Sequence, residues 1–259
     1  MQKNNIVLIG QGEMGGVFAR GFLKSGHPVI PVTRQMDINT IAAKETMPEL
    51  ILIAVAENDL QGVLANLPKV WRTNTALIQN ELLPCDWSAH SLIDPTIISV
   101  WFEKKKGQDY KVLIPSPAYG PKSKLLQETL NSIDIPCRTL NSEAELLHEL
   151  VLKNVYIITT NVAGLVTGGT VSELWEKHEN IARAVANEVI DIQEHLTGKT
   201  FNRDLLIKDM LAAFDGDPNH NCMGRSAPAR LQRALDIADK AGLSVDKMRE
   251  IQRRTKSDE

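Results

Sequence analysis

The sequence predicts an α/β first part, a parallel sheet wrapped by helices, followed by an all-helical second part. Three observations carry this. The first half alternates short apolar runs with amphipathic stretches, the rhythm of strands joined by crossover helices. A glycine triplet joins the first such strand to the first such helix. From Ser142 onward apolar residues recur at three- and four-residue steps, at Leu146, Leu147, Leu150, Val151, Tyr156 and Ile157, which is helical periodicity.

Along the chain, the expected strands are Ile6–Ile9, Val29–Val32, Leu50–Val55 and Ala76–Ile78, with helices over Met14–Lys24 and Asp59–Leu67. Only 16 residues separate Arg34 from Ile51, so the third strand of a doubly wound sheet is expected to be missing. Thr96–Phe102 and Tyr110–Ile114 flank the turn Lys104-Lys105-Lys106-Gly107-Gln108-Asp109 and read as an antiparallel addition. The three lysines read as its solvated tip. Lys122–Asn131 follows as a helix and Ile135–Thr139 as a short strand.

In the second part Ser142, with Glu145 three residues on, fits a capping box. Further helices are expected over Glu173–Leu196, closed by Gly198, and over Asp204–Phe214, Ala229–Ala241 and Val245–Arg254. The loop Asp215–Pro228, rich in Gly, Pro, Asn and His, interrupts them. Domains of residues 1–141 and 142–259 follow from this reading.

Composition excludes several functions. The 259 residues are 43% apolar and 24% charged, with 29 basic against 32 acidic side chains and a net charge of -3. That balance offers no field for nucleic acid or an anionic membrane. Cys85, Cys137 and Cys222 are odd in number and far apart. They form no CxxC pair or His/Cys cluster, so no metal site is expected. The start MQKNN lacks a signal-peptide pattern, and no stretch is read as approaching the ~18 apolar residues of a membrane helix. A soluble cytoplasmic protein is expected.

Gly10-Gln11-Gly12-Glu13-Met14-Gly15 fits G-x-G-x-x-G. The pattern is weak alone, but here it closes a strand, opens a helix and begins a βαβ unit. Gly10 permits a sharp turn, Gly12 lets the backbone approach a pyrophosphate, and Gly15 allows close helix–strand packing. The following helix start, with its exposed N–H groups, favours a diphosphate. The first part therefore reads as a Rossmann-type dinucleotide-binding domain. Its second strand ends Val32-Thr33-Arg34, where an NAD site usually carries an acid. A guanidinium there suits a 2′-phosphate and Thr33 adds a hydroxyl, so NADP(H) is the expected cofactor.

With these motifs in order, the chain resembles the ketopantoate reductase (2-dehydropantoate 2-reductase) family of the 6-phosphogluconate-dehydrogenase-like group. Glu149-Leu150-Val151-Leu152-Lys153 resembles that family's E-L-x-x-K segment, which implies that Lys153 is catalytic. Asn161 matches a substrate-contacting asparagine on the same helix. Ser172-Glu173-Leu174 is similar to the G-E-L opening the family's long helix, and Tyr119-Gly120-Pro121 to its I-G-P. Ile78-Gln79-Asn80 is similar to H-N-G, implying that Asn80 touches nicotinamide and substrate. Ala56 falls beside the cofactor, in Ala54-Val55-Ala56-Glu57, where the family often has a lysine. In Asn219-His220-Asn221-Cys222-Met223 the resemblance implies substrate contacts at Asn219 and Cys222, and it makes a homodimer plausible.

The residues themselves agree with that role for Lys153. It interrupts an apolar run, Leu150–Leu152 and Val155–Ile158, so it must snorkel, pair or face a cleft. Reduction of a 2-oxo acid needs a proton donor for the oxygen, and a buried lysine of lowered pKa can be one near neutral pH. Lys153 and Asn161 are eight residues apart and share roughly one helix face. One departure bears on substrate: Ser226 stands near the family's glutamate. Ketopantoate itself is thereby put in doubt, and Asp215 or Asp217 is the nearest replacement acid. The sequence thus leads to an NADPH-dependent reductase of a small 2-oxo acid or related carbonyl compound, working in the interdomain cleft on a small-molecule substrate. The alternative is a catalytically degenerate NADP-binding regulatory or redox-sensing protein.

Overall fold

A computed structural model describes residues 3–257. The chain divides into two compact units, Met1–Glu149 and Leu150–Glu259. The expected domain ends at residues 1–2 and 258–259 lie outside the described residues.

The first unit opens β1 (Ile6–Ile9), α1 (Glu13–Lys24), β2 (Val29–Val32), α2 (Ile38–Lys44), β3 (Leu50–Ile53), α3 (Glu57–Ala65) and β4 (Thr75–Leu77). It continues with α4 (Pro84–Ser88), β5 (Thr96–Ile98), β6 (Phe102–Lys104), β7 (Tyr110–Val112), β8 (Ser116–Tyr119), α5 (Ser123–Asn131) and β9 (Cys137–Thr139). Seven strands form one sheet in the order β2-β1-β3-β4-β5-β8-β9. Ile6 pairs in parallel register with Val29 on one side and Leu50 on the other. β1 and β3, IVLI and LILI, are buried along their whole length, as central parallel strands must be. β2 lies at the edge, where Pro31 and its missing N–H are tolerated. No strand follows β2 on that side among the described residues, in line with the short Arg34–Ile51 interval. That interval folds instead as α2, capped by Asp37, which accepts from the Asn39 and Thr40 N–H groups at 3.1 and 3.3 Å.

The Thr96–Phe102 expectation needs correction. Thr96–Ile98 joins the main sheet, parallel to β4 and antiparallel to β8. Only Phe102–Lys104 pairs with Tyr110–Val112, as a separate two-stranded ribbon. Ser116-Pro117-Ala118-Tyr119, a strand the apolar pattern did not reveal, takes the place beside β5. The ribbon packs onto α1, with the Phe102 and Phe18 rings 6.1 Å apart. This pulls Lys104 out of solvent: its side chain is 20% exposed and pairs with Glu13 at 3.4 Å, while Lys105 stays 54% exposed. The solvated-tip expectation therefore does not hold for Lys104.

α6 (Glu143–Thr167) crosses the division between the units, and the second unit continues with α7 (Val171–Thr197), α8 (Arg203–Gly216), α9 (Ala227–Ala241) and α10 (Asp246–Ser257). At the start of α6 the Glu145 N–H donates to Ser142 Oγ at 3.2 Å, and the Glu145 carboxylate accepts from the Asn141 N–H at 3.0 Å. Thr170 and Glu173 make the reciprocal box that opens α7, and Gly198 ends it in the left-handed conformation. α6 is long and apolar enough to pass for a membrane span, with a mean hydropathy of 1.4 over its most apolar stretch. This corrects the expectation that nothing in the chain approaches one. That stretch is 72% buried inside the structure, the condition of a core helix. Its buried Asn154 donates to Gln193 Oε1 of α7 at 2.9 Å, tying two long helices through a satisfied polar pair.

Candidate functional site

In the first unit, the carboxyl ends of β1 and β3 open onto a cavity of about 730 Å³. Strand order reverses at β1, because β2 lies on one side and β3 on the other. Open α/β sheets bind ligands at such a switch point. Gly10, Gln11, Gly12, Thr33, Arg34 and Ala56 line it together. The glycines differ in what a side chain would meet there. Gly10 has φ +102°, and a Cβ would come within 2.6 Å of the Ala54 carbonyl oxygen. At Gly15 a Cβ would collide with the Gly10 carbonyl oxygen. At Gly12 a Cβ would meet nothing within 4 Å. Gly10 and Gly15 thus serve the turn and the packing, and Gly12 leaves main chain bare toward the cavity.

Gly12 is also the N-cap of α1, and Ala56 that of α3, neither with a side-chain cap. Two helix N-termini thus meet the cavity as bare donors, an arrangement suited to a diphosphate. Gln11 turns back to donate to the Leu8 carbonyl at 3.1 Å. Glu13 and Met14 contribute main chain to the first turn, while their side chains pair with Lys104 and pack on the core.

Arg34 is exposed and pairs with Asp59 of α3 at 2.6 Å. Asp37, the next acid along the chain from Arg34, is committed to capping α2, and the Thr40 hydroxyl holds its carboxyl below the usual range. Asp59 was missed because it lies 25 residues beyond Arg34. Asn80 stands just past β4, donating to Glu57 Oε1 at 2.9 Å. The preceding Gln79 is buried and donates to the Ile53 and Val55 carbonyls at 2.8 and 3.2 Å, which fixes this strand end.

In the second unit, Lys153 and Asn161 both project from α6. Lys153 Nζ lies 5.8 Å from the Tyr156 ring centre; that ring packs edge-on against Phe214 and lies tilted to His220, with 6.3 Å between ring centres. Burial first, and the charge of Arg230 second, bring the Lys153 pKa down to about 7. Asn161 is buried, donates to the Ile157 carbonyl at 2.8 Å, and accepts from the Gly224 N–H at 3.5 Å and Arg230 Nη1 at 3.3 Å. Its amide therefore brackets α6, the α8–α9 loop and α9.

The loop residues separate. Asn219 is exposed. Cys222 is 1% exposed, its Cβ seated over Gly164, and burial pushes its thiol up to about 12. The structure thus gives Cys222 a packing position rather than an accessible one. Asp217 is buried with His220 Nδ1 at 3.6 Å, while Asp215 is exposed. Arg230, which the sequence reading did not single out, is the residue brought to Lys153 and Asn161. No group of three His, Cys, Asp or Glu side chains suited to a metal occurs among the described residues.

The fold and its two clusters define a Rossmann-type unit coupled to a helical one. None of the known family models matches the chain, and none of the curated proteins matches it by sequence. Solved structures do match it. The probable 2-dehydropantoate 2-reductase of Bacillus subtilis superposes with a TM-score of 0.70 at 16% identity, over 98% of this chain and 100% of that one. The dimeric ketopantoate reductase of Staphylococcus aureus gives 0.65 at 14%, over 98% of each. A D-mandelate dehydrogenase solved with NADH and anilino(oxo)acetate gives 0.67 at 13%, over 97% of each. The resemblance read from the motifs is thus matched by the fold, the two-domain architecture these reductases share.

Proposed function

We propose that the protein is an NADPH-dependent reductase of a small 2-oxo acid or related carbonyl compound. The observation that carries this is Lys153, a lysine on the core helix whose pKa is brought down to about 7, the range in which a general acid works best near neutral pH. The glycine cradle fits a dinucleotide: Gly10 and Gly15 admit no side chain, and Gly12 leaves the approach open. Gly10, Gln11 and Gly12, with the first N–H groups of α1 at Glu13 and Met14, would hold the diphosphate, with Ala56 at the start of α3 beside it. Arg34 and Thr33 would receive the 2′-phosphate.

When bound, the dinucleotide supplies a hydride to the substrate's carbonyl carbon. Lys153 gives its ammonium proton to the carbonyl oxygen, so the C=O bond becomes an alcohol as a C–H and an O–H bond form. Asn80 orients the carbonyl, its partner Glu57 fixing the amide. Asn161, on roughly the same face of α6 as Lys153, would contact the substrate. The solved D-mandelate dehydrogenase, with its anilino(oxo)acetate, supports a 2-oxo acid as the substrate class. A homodimer is supported by the Staphylococcus aureus structure and is checked by sedimentation.

The test is oxidation of NADPH, and of NADH in parallel, across a panel of 2-oxo acids, aldehydes and ketones. Turnover of at least one 2-oxo acid with a preference for NADPH is expected. Tight dinucleotide binding with no oxidation across the panel would overturn the reductase.

A further inference from the structure

We propose that the first unit holds a second small-molecule site, at the sheet edge opposite the dinucleotide cavity. Its ligand is an organic cation, a protonated amine carried on an apolar or aromatic body. This site does not depend on the reductase reading.

The topology separates the two sites. β1, β3, β4 and β5 run parallel, and the dinucleotide cavity opens at the carboxyl ends of β1 and β3. A further cavity of about 730 Å³ opens instead at the amino end of β5, at Pro95 and Ile97. It also meets Tyr119 at the end of β8, the antiparallel neighbour of β5. Trp87 of α4 and the start of α6 complete it, all within the first unit. The two cavities share no lining residue.

The lining is amphipathic. On α6, Glu143, Leu146 and Leu147 follow at i, i+3 and i+4, the spacing that puts side chains on one helix face. Ile97 and Leu146 are buried, Trp87 and Tyr119 are half-buried, and Asp94 and Glu143 are exposed. The cavity thus combines an apolar floor, two aromatic side chains and two exposed carboxylates. Its lining residues include no Lys, Arg or His. Gly120 holds the floor in place. It has φ +109°, and a Cβ there would fall within 2.8 Å of the Pro95 carbonyl oxygen, so the end of β8 lies tight against the start of β5. Tyr119-Gly120-Pro121, which lines no part of the dinucleotide cavity, thereby shapes this one.

Charge and shape select the ligand. The volume is that of a small-molecule site, and an apolar lining with few polar groups is the usual makeup of one. Both formal charges are negative, so the cavity repels the dinucleotide and any 2-oxo acid and attracts a cation. Trp and Tyr rings draw an ammonium to their π faces, and the apolar floor takes the carbon body. A metal ion is a poorer match, because no group of three His, Cys, Asp or Glu suited to one occurs among the described residues.

The test titrates the full-length protein with phenylbutylamine, with the neutral phenylbutanol and with the anionic phenylbutyrate, followed by ligand-observed NMR. The amine should bind best and the carboxylate least. The alcohol should bind roughly 3- to 30-fold more weakly than the amine, the scale of exposed ion pairing plus a cation–π contact. Asp94→Asn combined with Glu143→Gln should bring the amine down to the alcohol and leave the alcohol's Kd unchanged. Trp87→Ala should weaken both. Raising the salt from about 0.05 to 0.5 M should weaken the amine alone.

Equal affinities for amine and alcohol in the wild type, or an amine Kd that the double variant leaves unchanged, would overturn the cation site. Displacement of the amine by NADPH would put it in the dinucleotide cavity and overturn the site as well. So would the absence of binding by all three probes; a Trp87→Asp shift from dimer to monomer in sedimentation would then assign this face to a second copy. If the double variant fails to fold, the two single variants decide by the same amine-to-alcohol ratio.

Discussion

Around Gly12, the first unit meets its cavity mostly with main chain: the turn at Gly10, the bare start of α1 and the bare start of α3. Around Lys153, the second unit offers side chains only, a lysine, an asparagine and an arginine drawn from α6 and α9. The difference has a physical origin. A diphosphate is recognised by main-chain donors that any sequence supplies once the backbone is bent correctly. A reacting carbonyl needs particular titratable groups at particular points. Main-chain sites therefore follow from the course of the backbone, while side-chain sites bury polar groups at a cost in stability.

Five substitutions sharpen or break this contrast. Lys153→Ala should lower kcat by roughly 10²- to 10⁴-fold, the usual weight of a general acid, with the dinucleotide Kd unchanged by fluorescence titration. A matching loss of dinucleotide affinity would erase the distinction between the two units. Gly12→Ala should weaken dinucleotide binding by on the order of tenfold or more, because the methyl group intrudes on a charge-stabilised approach. Its melting temperature should barely move, since nothing lies within 4 Å of the added carbon. Gly15→Ala supplies the contrast: its methyl meets the Gly10 carbonyl, and overpacking of this kind costs about 1–3 kcal/mol or more.

Lys153→Met should raise the melting temperature at pH 6.5 by a few degrees while abolishing turnover. The sign follows from linkage. Lys153 has a folded pKa of about 7, below the ~10.4 of an unfolded lysine. Between these values the unfolded chain binds more protons, so this group makes stability rise with pH and weighs against folding most fully below pH 7. The gain from Lys153→Met should shrink as pH approaches 10. A constant gain would mean the lysine is not desolvated. The smallest effect is expected at Asp59→Asn, which frees the exposed Arg34 from its 2.6 Å partner. NADPH affinity should improve a few-fold over NADH, within the ~1 kcal/mol of a surface ion pair. No change in the ratio would remove Arg34 from cofactor choice.

The same contrast decides what was legible in the sequence. Glycines betray main-chain constraints by their identity, so the turn, the bare approach and the close packing were each readable at Gly10, Gly12 and Gly15. The central strands were readable because β1 and β3 are apolar on both faces. β8 was not, because Pro117 and Ser116 break the apolar signal while the pairing with β5 comes from tertiary packing. Lys153 stood out as a charge in an apolar run. Arg230 did not, because α9 is an ordinary amphipathic helix and its contact with Asn161 spans 69 residues. Asp59 and Lys104 were hidden for the same reason: each acts on a neighbour that only the fold brings close.

The pH dependence of kcat/KM for the wild-type protein, with NADPH saturating and the best 2-oxo acid limiting, tests the central claim most directly. Lys153 must be protonated to give up its proton, with the charge of Arg230 acting on it and the Tyr156 ring beside it. The rate should hold on the acid side and fall about tenfold per pH unit above roughly pH 7. A profile that stays flat from roughly pH 6 to pH 9 would contradict Lys153 as the proton donor.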